Sequence, residues 1–204
     1  MIPALKSFWH WVSEFAIPEG TSPDERKLHV SANQLMMVTL ILILTMSTSL
    51  LVAWVALLQV DFHFYRNYYL GGLPAVLALV IGTGIFIYRG KTRRFYGPIV
   101  AFAYLMTALI TSLTIIFGGA YGLEYWVLVV MGIGIFVLHK KPLLRRSGAI
   151  LSLVAFIGLR LWTYYFPEIL PVPHQATRIF YIVFTAAALF LIMVLEFRFI
   201  AQQS

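Results

Sequence analysis

Glu124 and Arg160 are the residues to begin with, because each carries a charge at or inside a long apolar run. Arg160 lies about 9 Å short of the end of its run at the rise of a helix. A charge at that depth snorkels to water or finds a partner. Glu124 opens another run at the same level, so a Glu124–Arg160 pair is expected. Such a pair either fixes two helices together or reads a ligand through its carboxylate or guanidinium. Tyr125, Trp126 and Trp162, with Tyr121 and Tyr165, sit at that level and would wall a pocket for a small amphipathic or lipid ligand. An aromatic belt at a membrane interface is the other account of them.

Other polar groups admit similar pairs of readings. Thr107, Thr111 and Thr114 share one helical face, and Thr45, Thr48 and Ser49 lie near one face of another run. Hydroxyls so placed bond backbone carbonyls or join helices, or they line a polar pocket. Asp61, His63, Glu168 and His174 have the donor atoms of an O/N metal site. They come from separate loops without recurrent ligand spacing, so no metal site is assigned. HExxH, Gly-x-Ser-x-Gly, a glycine-rich phosphate loop and paired intramembrane acids are all missing. No catalytic residue and no cofactor are assigned, and proton-relay transport has few carboxylates to work with.

The elements that must position these groups follow from composition. Of 204 residues, 61% are hydrophobic and 11% charged, with a mean hydropathy of +0.87. Several runs approach the length of a bilayer span, which predicts an all-α polytopic membrane protein. Zero cysteines exclude disulfides and thiolate ligands. The net charge of +7 resides mostly in short clusters between apolar runs; this is a topological signal, and nucleic acid is not an expected partner.

Taken in order, residues 4–17 read as an amphipathic interfacial helix. Leu5, Phe8, Trp9, Val12, Phe15 and Ala16 lie on one face, with Lys6, Ser7, His10, Ser13 and Glu14 opposite. A break at 18–21 closes a first segment of about 1–20. Ser22-Pro23-Asp24-Glu25 then has the order of a capped helix start. That helix is expected to run through a polar stalk, 26–34, into the first of six spans. The spans are read at 35–58, 69–88, 96–117, 123–138, 147–166 and 179–195, within a membrane domain of 21–195. Basic turns are read at Arg89–Arg94 and His139–Arg146, and a proline-rich loop at 167–175. Residues 196–204 carry no Gly or Pro, and are expected to continue the last span as a cytoplasmic helix.

Twelve of the 15 Lys and Arg residues fall on one side of this arrangement; Arg66, Arg160 and Arg178 fall on or near the other. The positive-inside rule then places both termini in the cytoplasm. Gly82-Thr83-Gly84-Ile85-Phe86 and Gly132-Ile133-Gly134-Ile135-Phe136 hint at a parallel repeat, each copy leading to an Arg-Arg turn. The paired glycines are expected where helices approach closely.

The stretch Phe117-Gly118-Gly119-Ala120-Tyr121-Gly122-Leu123-Glu124-Tyr125-Trp126, followed by an apolar run and a basic loop, resembles the six-helix N-terminal modules of bacterial receptor-like signalling proteins. That family includes membrane-anchored class III adenylate cyclases, and similar modules precede histidine kinases and diguanylate cyclases. The Trp-containing N-terminus, capped stalk and exit helix fit the same pattern. The resemblance implies a bacterial inner-membrane sensor or anchor that forms a homodimer. Glu196, Phe197 and Arg198 would pass its signal to an output enzyme outside these residues. The alternative expectation is a small six-helix transporter or channel.

Overall fold

The computed structural model describes residues 3–58, 69–118, 123–138 and 141–166. Among these the chain is helical, without strands: α1 Pro3–Glu14, α2 Pro23–Leu58, α3 Tyr69–Thr92, α4 Tyr96–Phe117, α5 Tyr125–Val137 and α6 Pro142–Tyr165. The sixth expected span, the residues 196–204, the proline-rich loop and Asp61, His63, Glu168 and His174 lie outside the described residues.

α2 forms as its sequence directs. The Ser22 hydroxyl accepts from Glu25 N–H at 3.4 Å, and the Ser22 carbonyl accepts from Arg26 N–H at 2.8 Å. Pro23 occupies the first helical position, where its missing N–H costs nothing. No Gly or Pro follows within the 36-residue helix, so stalk and apolar segment form one rod about 54 Å long.

Two expected boundaries move. Arg89, Gly90, Lys91 and Thr92 belong to α3 rather than to a turn, and the chain reverses only at 93–95. Arg93 adopts a left-handed backbone with φ 52, and its N–H returns to the Arg89 carbonyl at 2.9 Å. The second basic turn is likewise partly helical: Pro142 starts α6, so Leu143 to Arg146 form its first turn and not a loop. Proline's fixed φ suits that position. At the N-terminus, α1 stops at Glu14 instead of reaching residue 17, where Ala16 turns left-handed with φ 60.

Among the described residues four helical segments are long and apolar enough to cross a membrane: Pro23–Thr45, Gly72–Thr92, Tyr96–Phe117 and Pro142–Tyr165. At 13 residues, α5 spans about 20 Å, short of the roughly 30 Å of a hydrocarbon core. Large apolar side chains lie exposed along α2, α3 and α6, among them Leu51, Leu77, Val80, Ile150 and Val154. Monomers in water rarely expose contiguous apolar surface on this scale, whereas hydrocarbon solvates it.

The chain divides into two compact units, Met1–Ser49 with Ala75–Leu105, and Leu50–Pro74 with Met106–Ser204. In the first, a Cβ on Gly82 would lie 2.9 Å from Leu40 Cδ2 and 3.2 Å from Phe102 Cε2. This glycine therefore marks a close approach, as its spacing suggests. Gly84, its partner in the pair, has nothing within 4 Å of the same position. In the second unit, α5 packs against α6.

Candidate functional site

In the first unit the polar centre is Arg89, with 0% of its surface exposed. Its Nη1 donates to Asn33 Oδ1, and Nη2 lies 3.3 Å from His29 Nδ1. A guanidinium has only donors, so Nδ1 accepts and the His29 proton sits on Nε2. Met36 Sδ is 3.9 Å from Nη1, and the Phe95 ring centroid lies 5.2 Å from the guanidinium carbon. Among the described residues no carboxylate forms an ion pair with Arg89. The buried charge is held by neutral acceptors and an aromatic face. His29, Asn33 and Met36 fall three and four residues apart on one face of α2, which is how one helix delivers all three to one guanidinium.

Asn33 also acts in the opposite direction. Its Nδ2 donates to the Ser13 carbonyl at 3.2 Å and the Phe15 carbonyl at 2.6 Å. These oxygens belong to the end of α1, where helical carbonyls lack intrahelical donors. Gln34 Nε2 adds a bond to Ser13 Oγ at 2.8 Å, and Ser13 Oγ donates to Trp9 O at 2.8 Å. Arg26 meets Glu14 at 2.7 Å, a half-exposed bridge contributing about 1 kcal/mol or less. Ser13 and Glu14 were expected on the watery face of α1; both instead turn to α2, because the helix end needs donors that α2 supplies. The Phe15 ring stacks on Phe86, centroids 4.5 Å apart and planes 7° from parallel, and Val12 is fully buried. Phe8 and Trp11 stay exposed, leaving an apolar edge for an interface. Arg89 stands at the centre of a clamp that joins α1, α2 and α3.

In the second unit the expected pair forms. Arg160 Nη1 donates to Glu124 Oε1 at 2.6 Å, with side-chain exposures of 48% and 0%. Glu124 lies in the turn leading into α5, where its carbonyl accepts from Val127 N–H at 3.2 Å. The guanidinium carbon stands 5.9 Å from the Tyr125 ring centroid, and Tyr125 packs on Phe156 at 5.8 Å. Trp162 stacks on Phe166 at 4.3 Å. Glu124 Oε2 is buried and accepts no hydrogen bond. This cluster joins Glu124, Arg160 and Tyr125 directly; Trp126 follows Tyr125 in α5, and Trp162 lies two residues beyond Arg160 in α6. Chemically it is an ion pair with a buried anionic end and a half-exposed cationic end.

Three hydroxyls of the two stripes serve the backbone. Thr45 bonds Ile41 O at 2.9 Å, Thr48 bonds Leu44 O at 2.8 Å, and Thr114 bonds Ile110 O at 2.8 Å. Each of these three donors is used within its own helix. Glu196, Phe197, Arg198 and Tyr121 lie outside the described residues. Among the described residues no three His, Asp or Glu gather as metal ligands.

Compared with known proteins, the chain matches no family model, no curated protein and no solved structure.

Arg89 and Asn33 are what sequence reasoning missed. In the sequence Arg89 reads as one charge of a basic turn, and Asn33 as one polar residue of a stalk. A signal was present: His29, Asn33 and Met36 share a helical face with apolar Leu40, an arrangement that a solvated stalk does not need.

Proposed function

We propose that the chain is a membrane-embedded sensor or anchor module of a signalling protein, coupling its helix bundle to a cytoplasmic output enzyme. The observation that carries this reading is α2, one uninterrupted helix from a capped, charged stalk into an apolar segment. Its stalk is clamped by Arg89 and α1. A rod of this kind transmits rotation or translation; the clamp's central bonds come from a buried guanidinium and are charge-assisted, so a second packing must also bring acceptors to Arg89.

On this reading the protein sits in a bacterial inner membrane with six spans and both termini cytoplasmic. It works as a homodimer, and an outer amphipathic or lipid ligand, or the bilayer itself, biases two packings. The output is adenylate cyclase first, histidine kinase or diguanylate cyclase next. Residues 196–204 with Glu196, Phe197 and Arg198 form the exit helix. The Lys and Arg distribution supports the orientation, and the exposed apolar faces support the membrane.

The test is a one-residue insertion within 196–203 of the complete protein, which turns everything beyond it by about 100° on a helix. Output activity and its response to ligand should change. Unchanged output and response would remove rigid-helix coupling, and solute flux through liposomes carrying the protein would support the transporter or channel reading instead.

A further inference from the structure

The α3–α4 hairpin carries a groove of about 420 Å³ in the first unit, lined almost wholly by apolar surface and open along one side. Volumes of roughly 300–1,000 Å³ are usual for small-molecule sites. Gly84 of α3 and Gly97 of α4 line it. At neither would an added Cβ meet anything within 4 Å. Packing does not demand these glycines, in contrast to Gly82; what their missing side chains do is leave space. Ile81, Ile85 and Ala101 add apolar wall, and Tyr88 and Arg94 stand along its lining.

The charge at this end is one-sided. Lys91, Arg93 and Arg94 are all exposed, and among the described residues no carboxylate pairs with them. The turn that carries them is fixed by Arg93 N–H to Arg89 O at 2.9 Å and Arg94 N–H to Thr92 Oγ1 at 3.4 Å. An occupant therefore needs an apolar body for the groove and an anion for the turn.

We propose that this groove binds an anionic phospholipid, with an acyl chain against Ile81, Gly84 and Ala101 and the headgroup phosphate on Arg94. The inference requires that the chain sit in a bilayer and not that it signal, so it can fail while the signalling reading stands.

The experiment is native mass spectrometry of the full chain, delipidated in detergent and then offered phosphatidylglycerol or phosphatidylcholine of the same acyl length. Phosphatidylglycerol should be retained preferentially. Gly84→Leu, which fills the groove, should abolish that retention. Arg94→Gln should weaken phosphatidylglycerol roughly fivefold, the factor expected when one basic residue is lost at an anionic surface, and leave phosphatidylcholine unchanged. Gly72→Leu, also with open space at its Cβ, should bind like the unsubstituted chain, and circular dichroism melts verify that each variant is folded. Equal retention of the two lipids, full retention by Gly84→Leu, or displacement by inorganic phosphate alone would overturn the proposal.

Discussion

Glu124 and Arg160 differ in one respect that decides how their pair behaves: the carboxylate is fully buried and the guanidinium is half in the open. Losing Arg160 strands a buried charge, for which about 3–5 kcal/mol is typical. Losing the charge of Glu124 leaves a cation that is half exposed and long enough to snorkel. Thermal unfolding in detergent should therefore fall further for Arg160→Gln than for Glu124→Gln, with the double substitution nearer the milder one. Equal losses would overturn the burial asymmetry, and full stability of all three together with lost ligand response would move the pair from fastening helices to reading a ligand. This pairing was legible from residue positions, because ionisable groups are so rare in these runs that few partners exist. The Arg89–Asn33 contact was not, since a basic residue followed by Gly90, Lys91, Arg93 and Arg94 has the composition of a solvated turn.

The helices set the next scale. α1 is amphipathic in sequence, yet it is held by Asn33 at its C-terminal carbonyls and by Phe15 lying on Phe86. Gly90 makes that seat possible, because a Cβ there would press into the Phe15 ring, 2.9 Å from Cε1. The ring cannot simply swing away while it stacks on Phe86. Gly90→Ala should release α1 from the stalk, seen as increased protease cleavage at 15–21 and altered Trp9 and Trp11 fluorescence, while α2–α4 keep their helicity. The stability loss should be about 1–3 kcal/mol, the usual range for overpacking. An unchanged cleavage pattern would mean that α1 is not held through this contact. The capped start of α2 and the bounds of α4 were readable in advance, since caps, prolines and apolar runs act within a few residues. The end of α1 shifted where donors from α2 meet its last carbonyls, the start of α6 where a proline takes the first turn, and α3 runs on to Thr92 until Arg93 turns left-handed.

At the scale of the whole molecule, the sequence supplies its own background for mapping orientation, since it has zero cysteines. Single Glu19→Cys and Arg94→Cys variants should resist a membrane-impermeant maleimide in intact cells and react after lysis. Tyr165→Cys, at the exposed end of α6, should react without lysis. Labelling of Arg94→Cys from outside would reverse the proposed orientation. The neutral-partnered Arg89 bears on the same question, because a charge sealed inside a unit is less available to the positive-inside signal than its neighbours at 91, 93 and 94.

Composition and hydropathy alone determined that this chain is helical and where most helices lie, because the length of an apolar run and its breakers are local properties. They also placed Glu124 level with Arg160. Only tertiary structure decided that Arg89 goes inside while Lys91 and Arg94 stay out, and that Gly82 is filled by Leu40 while Gly84 faces open space. Those outcomes depend on residues some 40–60 positions away, such as Asn33 for Arg89 and Leu40 for Gly82. A buried charge is tolerated only where distant helices bring acceptors to it, and no local pattern of residue types records that meeting.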